Sequence, residues 1–250
     1  MPHPGKRGQT GIVIEPRIAL EAIGQLPDSE IDLADAALQL ARAGDPDADW
    51  QSARTHLSEL AQAAVSLAAT VEDADIGGRA RALRRLLVTT HGYEGDAITY
   101  EDLANANLIH VIERRQGLPV ALGILWLHCA HTAGWSAHGI DFPGHFLIGL
   151  AGRKAQVVMD PFSAGTSLDS DDLKTLFHKI AGAAAKPPQG ILRPMPRRAI
   201  LLRLQNNIRA RHLQAGHLRL ALATTETMLA IAPDNTPLQE EAAELRARLN

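Results

Sequence analysis

The sequence predicts an α+β fold, with a helical first half, a small antiparallel sheet and a helical tail. Three observations carry this. Apolar residues recur at helical spacing from Ile31 to Ala133. Beyond Trp135 the period shortens to that of strands, in short β-rich segments separated by Pro and Gly. After a proline-rich stretch the helical period returns. The expected organisation is a disordered lead-in over 1–12 and a core domain over 13–182, helical to 134 and sheet-forming from 135. A Pro-rich linker over 183–196 and a helical tail over 197–250 complete it.

The first clear helix lies in "PDSEIDLADAALQLARAG", where Asp28 or Ser29 caps the start, Glu30 enters the first turn and Gly44 stops it. Leu33, Ala36, Ala37 and Leu40 form its apolar face. "DADWQSARTHLSELAQAAVSLAATV" repeats the pattern with Leu57, Leu60, Ala64 and Leu67. A third helix, "GRARALRRLLVTTHGYEGD", ends at Gly92 and Gly95. Its arginines read as a solvated face, because acidic residues flank the segment.

"LPVALGILWLHCAHTAGW" is apolar almost all round, so this helix is buried. Pro119 suits its first turn and Gly134 its end. "SAHGID", "HFLIGL" and "AQVVMDP" are the strands, and "SLDSDDLKTLFHKIAG" is a further capped helix. Four prolines mark "AAAKPPQGILRPMPRR" as the linker. In the tail, Gly216, Ala221 and Pro233 fall where a tetratricopeptide unit places its turn glycine, small packing residue and closing proline. One such unit is too short for a solenoid, so it packs on the main domain or on a partner.

A hydrophobic fraction of 46% with 21% charged residues belongs to an ordinary globular chain. A net charge of -3 gives no electrostatic case for nucleic acid or an acidic membrane. The one cysteine, Cys129, has no internal disulfide partner and sits in no metal-binding C-x-x-C, which favours a reducing compartment. The start, "MPHPGKRGQTG", lacks the apolar core of a signal peptide. No run approaches the length of a membrane span. A cytoplasmic protein without cofactor is expected.

The segment "FPGHFLIGLAGRKAQVVMDPF" reads as a hairpin. With Gly152-Arg153 as a type II′ turn, Leu147 pairs with Val158 and His145 with Asp160. Directly opposed side chains have Cβ atoms roughly 4.5–5.5 Å apart, close enough for imidazole to meet carboxylate. A slip in the turn threatens to put the two on opposite faces. Pro143-Gly144 and Pro161 place both residues at one end of the hairpin. Two readings stand: a half-buried histidine satisfied by a nearby carboxylate, or two members of a catalytic triad.

A thiol nucleophile belongs at the N-terminus of a buried helix, where dipole and histidine stabilise the thiolate. The buried helix opens instead with Leu118, Pro119, Val120 and Ala121. Cys129 lies ten residues beyond Pro119, roughly 15 Å along the axis, on the stripe of Leu122, Leu125, Trp126 and Ala133. That is a core position. Ser136 and Ser163 are outside any G-x-S-x-G elbow and read as turn or strand-edge residues. His128 and His131 have i, i+3 spacing, with His138 and His145 on the strands that follow, but no ordered zinc motif is present. Hydrogen-bonded imidazoles are the expectation, and no metal.

"GYEGDAITYEDLANANLIHVIERRQGLPVALGILWLHCAHTAGW", "GIDFPGHFLIGL" and "VMDPF" together resemble the SirB-type transglutaminase-like proteins of bacteria. The resemblance runs from about Ile31 to the C-terminus and is most specific in "RRQGLPVALGIL", "FPGHFL" and "MDPF". It implies a papain-like transglutaminase core followed by tetratricopeptide-like helices. It also implies His145 and Asp160 as the catalytic pair and a nucleophile position at or beside Pro119, with Gly117, Pro119, Gly144 and Phe162 on the cleft rim. The family's Asn-Gly-Gly turn is Ser163-Ala164-Gly165 here, and a charged tail segment is replaced by Leu238-Gln239-Glu240-Glu241-Ala242.

Three functions follow as expectations. The first is a non-catalytic module that binds a peptide or protein, with neither nucleic acid nor membrane as partner. The second is a hydrolase in which His145, oriented by Asp160, activates water. The third is a structural adaptor in which the pair only stabilises the fold. Neither the partner's identity nor the oligomeric state is legible in the sequence.

Overall fold

The computed structural model describes residues 14–72, 75–153 and 155–250, so the expected lead-in lies outside it. The helical half comprises α1 (Pro16–Gly24), α2 (Leu33–Gly44), α3 (Trp50–Ala68) and α4 (Ile76–Arg84). A π-helical turn over Arg85–Thr90 extends α4 and closes at Gly92, whose φ of 73° only glycine adopts readily. β1 (Glu94–Gly95), a 3₁₀ turn (Leu103–Ala106), α5 (Leu108–Arg114) and β2 (Gln116–Gly117) lead to α6 (Pro119–Thr132). There follow β3 (Ala137–Phe142), β4 (His145–Ala151), β5 (Gln156–Asp160), β6 (Thr166–Leu168), α7 (Ser170–Ala181) and β7 (Pro194–Met195). α8 (Arg197–Gln214), α9 (Leu218–Ile231) and α10 (Thr236–Leu249) finish the chain. The fold is α+β as expected, with an antiparallel sheet and a helical C-terminus.

α6 is the centre of the molecule. It packs against α2 and α3 on one side and against β3 and β4 on the other. Pro119 sits in its first turn, where a missing N–H costs nothing, and eleven of its residues are buried. Each fully buried Leu or Ile there contributes about 1.5–3 kcal/mol of transfer free energy. The antiparallel sheet runs β6-β5-β4-β3-β7, while β1 and β2 form a separate parallel pair. Phe146, Ile148, Leu150 and Met159 face the main core, and Ile140, Phe142, Leu147 and Val158 join Phe177 of α7 in a second, smaller one. Contact with α6 is close: a Cβ on Gly123 would lie 2.3 Å from the Phe146 ring.

Several expectations need correction. α1 has no capping side chain and escaped notice in the sequence. The cap of α2 is Asp32, which accepts from the Ala34 and Asp35 N–H groups, and not Asp28 or Ser29. Asp28 instead accepts the N–H groups of Arg197 and Arg198 at 2.9 and 2.8 Å, satisfying first-turn donors of α8 that Pro196 cannot. The Arg197 and Arg198 side chains donate back to the carbonyls of Ile31 and Leu26. Ile200, Leu201 and Leu204 of α8 and Ile231 of α9 lie in the same core as Leu20 and Ile23 of α1. The end of the proline-rich stretch is an edge strand: Pro194 and Met195 pair with Ile140 and Gly139, a position that tolerates proline.

The β4–β5 register also differs. Val158 lies opposite Gly149, not Leu147, and Ile148 opposite Met159. Gly152 is not the turn: its N–H donates to the Ala155 carbonyl at 2.8 Å, and its φ lies outside the left-handed region. The reversal falls one residue later, which moves each partner by two. A shift of two leaves every side chain on its original face, so alternation of apolar residues is blind to it.

Candidate functional site

His145 opens β4 directly after the two-residue Pro143-Gly144 turn, in which Gly144 takes φ 65°. Asp160 closes β5. In the observed register they are diagonal neighbours on one face, and the imidazole Nε2 lies 2.9 Å from Asp160 Oδ1. The ring N–H is not aimed along that line, so the contact is an electrostatic approach without a linear hydrogen bond. Asp160 is held firmly: its oxygens accept from the Phe162 N–H at 2.9 Å and the Ser163 hydroxyl at 2.8 Å. Burial pushes its carboxyl upward, but His145, Ser163 and the Phe162 N–H outweigh this and hold it below the usual range.

Phe162 stands edge-on to the His145 ring, with centroids 6.2 Å apart, and Tyr100 stands edge-on to Phe162. Phe162 reaches this place because position 95 is glycine: a Cβ there would lie 2.4 Å from its ring. On the other side of His145 is a pocket of about 310 Å³. Leu118, Pro119 and Val120 of the first turn of α6 form one wall, and Gly144, His145 and Phe146 another. Tyr100 and three residues of α8, Arg203, Asn206 and Asn207, complete it.

Of the residues singled out in the sequence, His145, Pro119 and Gly144 meet in this pocket. Asp160 and Phe162 support His145 from behind. Gly117 is buried in β2 against Val111 and the Asn105 carbonyl, outside the pocket lining. Cys129 is fully buried in the main core, and burial pushes its thiol up to about 12. Ser136 is exposed, and the Ser163 hydroxyl donates a hydrogen bond to Asp160. His128 and His131 direct Nε2 to the carbonyls of Leu57 and Ala137, and His138 packs over Gly149.

Sequence reasoning missed Arg203, Asn206, Asn207 and Tyr100. Arg203 donates to the Asp141 carboxylate and, at 2.6 Å, to the His145 carbonyl, with its guanidinium carbon 5.9 Å from the Phe146 ring centre. A signal existed: positions 203, 206 and 207 are polar at i, i+3, i+4 on a helix that buries Ile200, Leu201 and Leu204. Nothing local points that stripe at a histidine nearly sixty residues away. Chemically, the site offers an imidazole beside a carboxylate, able to take a proton from water or a ligand. The helix turn facing it carries no atom able to attack a carbonyl.

Comparison with known proteins gives the relatives. A family model described as the transglutaminase-like superfamily matches residues 51–206, ending within α8. A UPF0162 protein of Xylella fastidiosa strain Temecula1 is 30% identical over 217 residues, covering 85% of this chain and 76% of the relative. A UPF0162 protein of Vibrio cholerae is 30% identical over 207 residues, covering 82% and 75%. One of Pseudomonas aeruginosa is 28% identical over 239 residues, covering 95% and 85%. No solved structure matches significantly.

Proposed function

Because the chain belongs to the transglutaminase-like superfamily, we propose that it keeps the cleft of that fold as a non-catalytic module that binds a peptide or protein. The observation that carries this is the wall opposite His145. Leu118, Pro119 and Val120 occupy the first turn of the central helix, where a thiol would have to stand to be activated. Cys129 is no substitute, being locked in the core as a neutral thiol. A SirB-type affiliation and a tetratricopeptide-like tail belong to this reading. Gly216 has φ 72° after α8, Ala221 is fully buried in α9, and Pro233 follows α9. A reducing bacterial cytoplasm suits the buried thiol.

The contact between His145 and Asp160 favours a second reading, in which the pair activates water for slow amide or ester hydrolysis. One experiment separates the two. The purified protein and its His145→Ala variant are assayed on amide and ester substrates, and by binding to an immobilised library of short peptides. The binding reading expects captured peptides and no turnover above that of the variant. A turnover that disappears in His145→Ala would replace it with the hydrolase.

A further inference from the structure

We infer that the His145 pocket receives the carboxylate of an acidic side chain on a bound peptide, with Arg203 as its partner. This rests on the proposed binding role and adds the chemistry of the ligand. Among the described residues no Asp or Glu lines the pocket, and its one permanent charge is the Arg203 guanidinium. A cation in a concave wall, whose carboxylate partner Asp141 lies outside that wall, is complementary to an anion. Asn206 adds to this. Its amide oxygen already accepts from Arg209, at 2.5 Å, which leaves its amide N–H groups as donors.

Arg203 is available for exchange. Its present carboxylate partner, Asp141, stands outside the pocket with a side chain 62% exposed. An ion pair whose acidic member stands in solvent is weak, so a ligand carboxylate can take over that bond. The other bond of Arg203, to the His145 backbone carbonyl, ties the guanidinium to the start of β4, and both residues line the pocket.

The rest of the peptide has a bed. Arg203 and Asn206 also line a groove of about 490 Å³ along α8 and α10. Met195, Leu202, Met228 and Leu238 give it an apolar floor, and methionine adapts to varied side chains. Its carboxylates among the described residues, Asp141 and Glu241, are already paired with Arg203 and Arg209. The occupant is therefore an extended segment with an acidic residue next to apolar ones.

The test compares two fluorescent peptides of identical leucine- and methionine-containing sequence, both acetylated and amidated, one with a central Glu and one with Gln. Anisotropy titrations use the full chain at low salt. The Glu peptide binds at least about tenfold more tightly than the Gln peptide. Arg203→Met abolishes the difference, and Asp141→Asn, which removes the competing carboxylate, tightens the Glu peptide alone. Asp141 is exposed, so that variant remains informative should Arg203→Met fail to fold. Equal binding of both peptides overturns the inference while leaving the cleft reading intact. A preference instead for a neutral peptide with a free C-terminus also overturns it. Absence of binding by these and by every library peptide overturns the cleft reading itself.

Discussion

His145 Nε2 lies 2.9 Å from Asp160 Oδ1, although the two residues are not cross-strand partners. They meet diagonally, because the hairpin reverses one residue later than its glycine suggests. Asp160 tolerates burial only through His145, Ser163 and the Phe162 N–H.

Replacing Asp160 with Ala therefore leaves several polar groups unsatisfied. The expected loss is about 3 kcal/mol, read as a lower urea midpoint with unchanged slope. Ser163→Ala, which removes one partner and leaves the carboxylate, costs about 1 kcal/mol. A loss for Asp160→Ala no larger than that for Ser163→Ala would show that the carboxylate does not organise this end of the sheet.

Asp96 lies in a denser network. It accepts from the N–H groups of Ile98 and Thr99, the Thr99 hydroxyl and the Asn105 amide, and pairs with Arg114. The Thr99 hydroxyl and N–H are the leading causes that hold its carboxyl down to about 2. A depressed carboxyl contributes stability that is complete above its unfolded value, about 4, and is lost as pH falls from there toward 2. Asp96→Asn flattens that part of the stability curve and lowers the melting temperature at neutral pH. An unchanged acid limb would refute this.

The His56 imidazole is buried among Arg115, Glu59, His91 and Tyr93, and Arg115 donates to its Nε2 at 2.5 Å. Burial, followed by the Arg115 charge, holds its protonation below the usual histidine range, against the opposing pull of Glu59. His91 shifts the same way for the same two causes. Neutral imidazoles are thus favoured in the fold, and their contribution is present above about pH 6.5 and declines as pH falls below it. Thermal melts from pH 8 to 5 show this decline, and His56→Gln reduces it. A melting temperature independent of pH across that window would exclude the effect.

Asp28 acts as a cap for a helix it does not precede. Asp28→Ala removes the acceptor for the Arg197 and Arg198 N–H groups, at an expected cost of about 1–2 kcal/mol. Hydrogen exchange of those amides quickens specifically. Equal quickening along the whole of α8 would mean that the helix was undocked and not uncapped.

How much of this was legible depended on range. The central helix was bounded in the sequence by Pro119 and Gly134, and its all-round apolarity foretold burial. The three principal strands appeared as a change of period. His145 and Asp160 were recognisable as a pair because alternation places them on one face in either register. The register itself was not legible, since the two alternatives bury the same side chains and only the turn hydrogen bond at Gly152 separates them.

The sequence by itself determined the elements that neighbours specify: apolar periods, the start of the central helix at Pro119 and its stop at Gly134, and the lack of an attacking group where that helix begins. Only the tertiary structure decided that Asp28 caps α8, that Pro194 and Met195 extend the sheet, and that Arg203 bonds the His145 carbonyl. Periodicity and propensity report a residue's own few neighbours. An Asp, an edge strand or an Arg finds a remote partner only after the apolar faces have packed and left particular polar groups unsatisfied beside it.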